Sequence, residues 1–150
     1  FGGFTTETMY SCVPMACGPF AVRVRLVPAE TNSNVTATAL GTDANFGADF
    51  SARIAQQDLA WDLQLQPFVN EVITPIEDAS VNWTTPYVTV ARLSMPKQQV
   101  DSPQGKALSE EVEADVFDPW QALAAHRPLG DVQRARKVVY YQSQKGRGAA

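Results

Sequence analysis

Alternation of apolar and polar residues, in short runs separated by turn-forming residues, is the feature that most constrains the fold of this chain. The three clearest runs are PFAVRVRLV (residues 19–27), WDLQLQPF (61–68) and PYVTVARLSM (86–95). Successive side chains of a β-strand point to opposite faces of a sheet, so these runs predict strands with one apolar face. Residues 8–13 are a fourth candidate. We therefore expect an antiparallel sheet in the first two-thirds of the chain.

Helices are predicted later, and this order of strands before helices indicates an α+β fold. The segment DVQRARKVVYYQSQ favours a last helix at about residues 131–145, with Asp131 as its N-cap and Gly146 at its end. A short helix is also expected within GADFSARIAQQDLA (47–60).

Two segments are predicted to be loops. The Thr- and Asn-rich segment 31–46 lacks periodicity, and residues 99–116 are polar and carry Pro103, Gly105 and an acidic run. The acidic run is interpreted as a solvated surface.

Composition excludes several classes of protein. A chain of 150 residues fits one domain, and its net charge of −4 argues against a nucleic-acid partner. No apolar run approaches the roughly 18 residues that a membrane span needs, and the N-terminal residues do not resemble a signal peptide. A soluble protein is expected, with the cytoplasm favoured and a periplasmic or secreted location left open.

The few potential metal ligands predict no structural metal site. Cys12 and Cys17 lack ligand partners at zinc-site spacings, and His126 is the one histidine of the chain. Both cysteines are expected to be small, half-buried side chains, although a disulfide between them stays open. His126 is expected to order a turn, because no nucleophile motif accompanies it. No glycine-rich phosphate loop, GxSxG or HExxH motif is present.

Arg136 and Tyr140 form the most suggestive pair in the chain. Positions i and i+4 of a helix share one face, so the two side chains are expected to meet. A guanidinium beside a phenol favours the ionised phenolate, which is able to ligate iron. By spacing alone, however, an ordinary surface contact is the favoured interpretation.

Several segments together resemble the second half of the haem catalases, and most closely the smaller catalase-like proteins. They are, in chain order, GPFAVRVRLVP (18–28), AWDLQLQ (60–66), PIEDASVNW (75–83), PYVTVARLSMPKQ (86–98), FDPW (117–120), HRPLG (126–130) and RKVVY (136–140). The likeness extends over about residues 8–145.

This resemblance implies part of an antiparallel β-barrel, with strands at about residues 8–98, and a haem b held in a deep pocket. Tyr140 would be the axial iron ligand and Arg136 would hydrogen-bond its phenolate. Tyr141 is the rival ligand, but the residue four positions before it is lysine. Arg127 is a further candidate for haem binding, and Arg147 is a second candidate for contact with a propionate.

The implied reaction is decomposition of peroxide, in which a distal histidine moves the proton and the tyrosinate stabilises high-valent iron. In the family, that histidine and a distal asparagine come from the first half of the chain, whereas His126 matches the HRPLG position. We therefore expect this chain to be the C-terminal part of a longer protein, with weak or no turnover alone. Loss of a general acid–base group costs about 10² to 10⁴ in rate.

Other interpretations stay open. A related haem enzyme could convert fatty-acid hydroperoxides instead of hydrogen peroxide. A non-enzymatic remnant or binding module, or a genuine short protein, is a third alternative. Members of the family are commonly multimeric, so a homo-oligomer is compatible with the sequence.

Overall fold

A computed structural model describes residues 3–34 and 45–149 of the chain. Within these ranges the strands are β1 (Met9–Tyr10), β2 (Met15–Cys17), β3 (Phe20–Pro28), β4 (Leu59–Pro67) and β5 (Val88–Met95). The helices are α1 (Phe46–Ile54), α2 (Pro103–Ala114) and α3 (Asp131–Arg147), with 3-10 turns at Glu30–Asn34 and Ala124–His126. Most of the loop predicted at 31–46 lies outside the described residues.

The strands form one antiparallel sheet in the order β1-β3-β4-β5, and β2 pairs with β3. Met15 lies opposite Val22, and Cys17 lies opposite Phe20. The described strands leave the sheet open and do not close a barrel. The predicted α+β class is thus confirmed. Three of the strands match the alternating runs, whereas β2 is too short for its period to show in sequence.

Helix α2 overturns the prediction of a loop at 99–116. Ser102 precedes the helix, and its Oγ accepts a hydrogen bond from the backbone N–H of Gly105 at 3.1 Å. Pro103 occupies the first helical position, where its missing N–H costs nothing. The proline and the glycine that suggested a loop therefore belong to a helix start, and good helix formers follow them.

Contacts divide the described residues into two compact units, the first comprising residues 3–9, 25–34, 45–64 and 89–110. Its core is formed by Ile54, Leu59 and Trp61, each at most 2 % exposed. The ring of Phe50 stacks on that of Trp61, with 6.4 Å between the ring centres. The predicted apolar residues of α1 and β4 thus supply this core.

A buried asparagine joins three segments of the first unit. Asn32 is fully buried and donates hydrogen bonds to the backbone oxygens of Thr5 and Ala60, at 3.1 and 2.8 Å. Its own side-chain oxygen accepts from the N–H of Ala60 at 2.9 Å. Below it, Arg53 and Asp49 of α1 form a buried ion pair, and Arg53 also donates to the backbone oxygen of Asn32. Every hydrogen-bonding atom of the Asn32 amide group therefore has a partner, as burial requires.

The second unit comprises residues 10–24, 65–88 and 111–149, and Trp83 is its largest buried side chain. Its indole N–H donates to the backbone oxygen of Pro75 at 3.0 Å, and its ring lies edge-on to Phe68. Gln66 of β4 is buried and donates to the backbone oxygens of Trp83 and Thr85. These contacts hold the segment before β5 against the end of β4.

The exposure of β5 differs from the sequence prediction. The run PYVTVARLSM predicts a strand with one apolar face that packs, yet its residues Val88 and Val90 are 55 % and 52 % exposed. Residues 88–94 are all exposed, so neither face of β5 is packed within the described part of the chain. Among the described residues, no helix combines the length and the apolar character that crossing a bilayer requires.

Candidate functional site

The N-terminus of helix α3 is capped by a glycine and by the carboxylate of a residue that is distant in sequence. Asp131, predicted as the N-cap, is instead the first helical residue, and Gly130 with φ +86° takes the cap position. Both carboxylate oxygens of Glu77 accept the backbone N–H of Asp131. A Cβ at Gly130 would lie 3.1 Å from one of those oxygens. Glycine therefore supplies both the backbone conformation and the space for the carboxylate.

The buried side of α3 is held by the segment that contains FDPW. The indole N–H of Trp120 donates to the backbone oxygen of Gln133 at 2.8 Å. Gln144, which is buried, donates to the backbone oxygen of Phe117 at 2.7 Å. The helix passes the predicted end at Gly146 and is capped by Gly148 in a left-handed conformation. These contacts position the side chains between Gln133 and Gln144.

Arg136 and Tyr140 meet on this helix, as their spacing predicts. Arg136 Nη2 lies 2.5 Å from Tyr140 Oη, and both side chains are half-buried. Arg136 Cζ is also 5.0 Å from the centre of the Tyr140 ring. Gln133 Oε1 accepts a hydrogen bond from Arg136 Nη1 at 3.3 Å. The phenol oxygen thus has a charged donor that is itself oriented by a buried amide.

The neighbouring candidates are arranged differently. Tyr141, the rival ligand, is 53 % exposed. Arg134 precedes Tyr140 by six residues and forms ion pairs with Asp131 and Glu77 near the start of the helix. Arg136 is therefore the arginine that donates a hydrogen bond to Tyr140.

The HRPLG segment lies against β2. The backbone N–H of Ala16 donates to the oxygen of Arg127 at 2.9 Å, and Met15 forms an isolated bridge with Pro128. The side chain of Arg127 is exposed and donates to the backbone oxygen of Ala124 at 3.3 Å. His126 is the last residue of the 3-10 turn Ala124–His126 and is exposed. Its backbone N–H donates to the oxygen of Leu123.

The side chain of Arg147 contacts helix α2. Its Nη1 donates to the backbone oxygen of Glu113 at 2.8 Å and lies 3.9 Å from the carboxylate of that residue. Both contacts are partly exposed, so the ion pair contributes little. The side chain of Arg127 thus makes fewer polar contacts with the rest of the protein than that of Arg147.

The described residues contain no group of three or more His, Cys, Asp or Glu side chains that could hold a metal ion. The cysteines are both free thiols, with Cys12 exposed and Cys17 half-buried. Tyr140 would be a different kind of ligand, because one phenolate suffices on one side of a haem iron. An oxygen donor with a guanidinium at 2.5 Å fits that requirement. Val132 and Val139 on the same helix are exposed apolar side chains.

No family model matches the chain, and a search of curated proteins finds no significant match either.

Sequence reasoning missed the residues that support the pair. Gln133 could have been found, because it precedes Arg136 by three positions and so shares its helical face. Glu77 carries no local signal, since it is 54 residues away from the helix start that it caps. The contact of Gln144 with Phe117 spans 27 residues and carries no local signal either.

Proposed function

We propose that this chain binds haem b through Tyr140 as the axial iron ligand, and that it is the proximal-ligand part of a catalase-type protein. The observation that carries the proposal is the 2.5 Å separation of Arg136 Nη2 and Tyr140 Oη. The order of the motifs, from GPFAVRVRLVP to RKVVY, resembles that of the haem catalases and supports the same conclusion. In this proposal the open sheet is part of a catalase-type barrel.

Arg136 would stabilise the phenolate that binds iron. A cationic donor in hydrogen-bonding contact favours the charged form of an acceptor. Gln133 orients the guanidinium from the other side, and the bond from Trp120 holds the backbone of Gln133. The phenol, the arginine and the amide therefore act as one supported group.

Arg127 would meet a haem propionate. Its side chain is exposed and donates to the backbone oxygen of Ala124 at 3.3 Å, so reorienting toward a carboxylate costs little. Bidentate pairing of a guanidinium with a carboxylate is among the stronger polar contacts in proteins. We therefore assign Arg127 a supporting role in haem binding.

Haem, when bound, supplies the redox chemistry on which decomposition of peroxide depends. That reaction also needs an acid–base group to move a proton. The single histidine of this chain, His126, lies in an exposed turn. We therefore expect weak or no peroxide turnover from this chain, and we propose full turnover for a parent protein that supplies the missing group.

Haemin titration tests the proposal. We expect a saturable Soret band for the wild-type chain, which is lost in Tyr140→Phe and retained in Tyr141→Phe. The two variants remove the same oxygen from adjacent tyrosines, so general effects on folding or on apolar haemin adsorption are matched. Arg136→Met should weaken the band because the phenolate loses its cationic partner.

Two outcomes would contradict the proposal. The first is a Soret band of equal intensity in wild type, Tyr140→Phe and Tyr141→Phe, which would show haemin adsorbed on exposed apolar surface. The second is the absence of any saturable band in a folded wild-type chain, which would favour a non-enzymatic module. Oxygen evolution from hydrogen peroxide, compared with free haemin at equal concentration, tests the expected lack of turnover.

A further inference from the structure

A cavity of about 220 Å³ lies within the second unit, apart from the Arg136 and Tyr140 pair. Residues of β3, the end of β4 and the segment before β5 contribute to its wall. The lining residues on which the argument depends are Arg23, Trp83, Tyr10, Tyr87 and Asn82. No acidic side chain is among the described residues that line it. The cavity therefore combines a cation, neutral hydrogen-bond donors and aromatic walls.

Arg23 is the unusual member of this wall. Its Nε is buried and has no hydrogen-bond partner within the described part of the chain. Its guanidinium lies over the ring of Trp83, with Cζ 4.5 Å from the ring centre. Stacking covers a face of the guanidinium and satisfies none of its in-plane N–H groups, which need an oxygen in their own plane. A buried N–H without an acceptor is costly, so an incoming oxygen would be stabilised here.

The other arginines show what this side chain lacks. Within residues 3–34 and 45–149, each of the remaining seven has a side-chain hydrogen bond to, or an ion pair with, an oxygen of the protein. They are Arg25, Arg53, Arg92, Arg127, Arg134, Arg136 and Arg147. Arg25, on the same strand as Arg23, donates to Gln64 Oε1 at 2.7 Å. Arg23 therefore stands out among the described arginines for its lack of an oxygen partner.

The parts of the wall formed by Trp83 and Ser11 are held by hydrogen bonds and ring contacts. Trp83 is 7 % exposed and is fixed by the bond from its indole N–H to Pro75 and by its edge contact with Phe68. The bond from Gln66 to the oxygen of Trp83 fixes its backbone. Ser11 is tied to β3 through two bonds with Val24. A preformed wall lowers the entropic cost of binding a small molecule.

We propose that this cavity binds the carboxylate of a small, planar organic acid. The carboxylate pairs with the in-plane edge of the Arg23 guanidinium, and the organic group lies among the rings of Trp83, Tyr10 and Tyr87. The amide of Asn82 is available as a further donor. The planar guanidinium of an arginine presents two parallel N–H groups that match a carboxylate in geometry as well as in charge.

The volume of the cavity limits the size of the acid. Sites for drug-sized ligands span about 300–1,000 Å³. A cavity of about 220 Å³ suits a smaller molecule, such as a single-ring acid. Benzoate is therefore the probe of choice, and its neutral isostere benzamide is the matched control for charge.

The experiment is an NMR titration of the wild-type chain in the absence of haemin, so that its result does not depend on haem binding. Benzoate, benzamide and inorganic phosphate are added separately at constant ionic strength. We expect benzoate to shift the Nε–Hε resonance of Arg23 and the indole resonance of Trp83 along one saturable curve. Benzamide and phosphate should shift neither to saturation.

Variants identify the responsible side chain. Arg23→Gln should weaken benzoate binding roughly tenfold or more, because a charged hydrogen-bonding partner is lost. Arg23→Lys, which keeps the charge without the planar fork, should weaken it less. Arg25→Gln removes the same charge two residues away and should leave binding unchanged. Far-UV circular dichroism confirms that each variant is folded.

Three results would overturn the proposal. One is a wild-type chain in which benzoate causes no saturable shift at Arg23. Another is equal binding of benzoate and benzamide, which would show an apolar cavity without anion recognition. The third is saturable binding of phosphate alone, which would assign the cavity to a different anion.

Discussion

Both carboxylate oxygens of Glu77 accept the backbone N–H of Asp131, at 3.1 and 2.9 Å, across 54 residues of sequence. This contact satisfies the first N–H of the helix that carries Arg136 and Tyr140. It also places a negative charge at the positive end of the helix dipole. The orientation of the candidate iron ligand therefore depends on a loop that is remote in sequence.

Removal of that carboxylate should destabilise α3. Glu77→Ala leaves the N–H of Asp131 without its acceptor, and we expect the free energy of unfolding to fall by about 1 kcal/mol. Glu77→Gln keeps an oxygen acceptor and should cost less. Urea denaturation followed by circular dichroism measures both. Glu111→Ala, on the exposed surface of α2, is the control, and an equal loss in that variant would contradict a specific capping role.

Asn32 should be one of the most sensitive polar residues of the first unit. Asn32→Ala leaves the N–H of Ala60 and the backbone oxygen of Thr5 without this partner, so we expect a loss of about 2–4 kcal/mol. The backbone oxygen of Ala60 loses one donor but keeps the N–H of Ala29. Asn34 lies in the same 3-10 turn and is exposed. Asn34→Ala should therefore change stability by less than about 0.5 kcal/mol. Similar thermal shifts for both variants would show that the buried network contributes little.

Two helical glycines should respond in opposite ways to replacement by alanine. At Gly105 a Cβ would collide with the backbone oxygen of Val100, so Gly105→Ala should destabilise the protein by about 1–3 kcal/mol. At Gly146 nothing lies within 4 Å of the added Cβ. Gly146→Ala should therefore stabilise it by about 0.5–1 kcal/mol through helix propensity. Chemical denaturation of the pair checks the sign, and stabilisation by both would show that α2 packs differently on Val100.

The acid range should reveal a local interaction at Asp78. Hydrogen bonds from the hydroxyl and then the backbone N–H of Ser80 hold the pKa of the Asp78 carboxyl below its usual value of 3.8. Because the folded pKa is lowered, this contribution to stability is present above the unfolded value. It is lost as the pH falls through the folded value.

Ser80→Ala should raise the pKa of Asp78 back toward that usual value, since the hydroxyl is the larger cause and the backbone bond remains. Carboxyl-detected NMR titration measures the change directly. Ser109→Ala, on exposed α2, should leave it unaltered. An unchanged titration midpoint in Ser80→Ala would refute the assignment of the cause.

Much of the secondary structure could be predicted because its signals are local. The periods of β3 and β4, and the i, i+4 spacing of Arg136 and Tyr140, depend on residues adjacent in the chain. The sequence did not predict helix α2, because a proline and a glycine such as Pro103 and Gly105 are common in loops and also occur in the first turn of a helix. The hydrogen bond from Gly105 to the Ser102 hydroxyl, which caps the helix, distinguishes the helix from a loop.

The sequence by itself determined the strands β3 and β4, the helix α3 and the meeting of Arg136 with Tyr140, because one turn of helix brings those two residues together whatever surrounds it. The tertiary structure alone decided that Glu77 caps α3, that Gln144 contacts Phe117 and that Arg23 stacks on Trp83. Those contacts join residues far apart in the chain. They depend on how distant segments fold together, which no local period encodes.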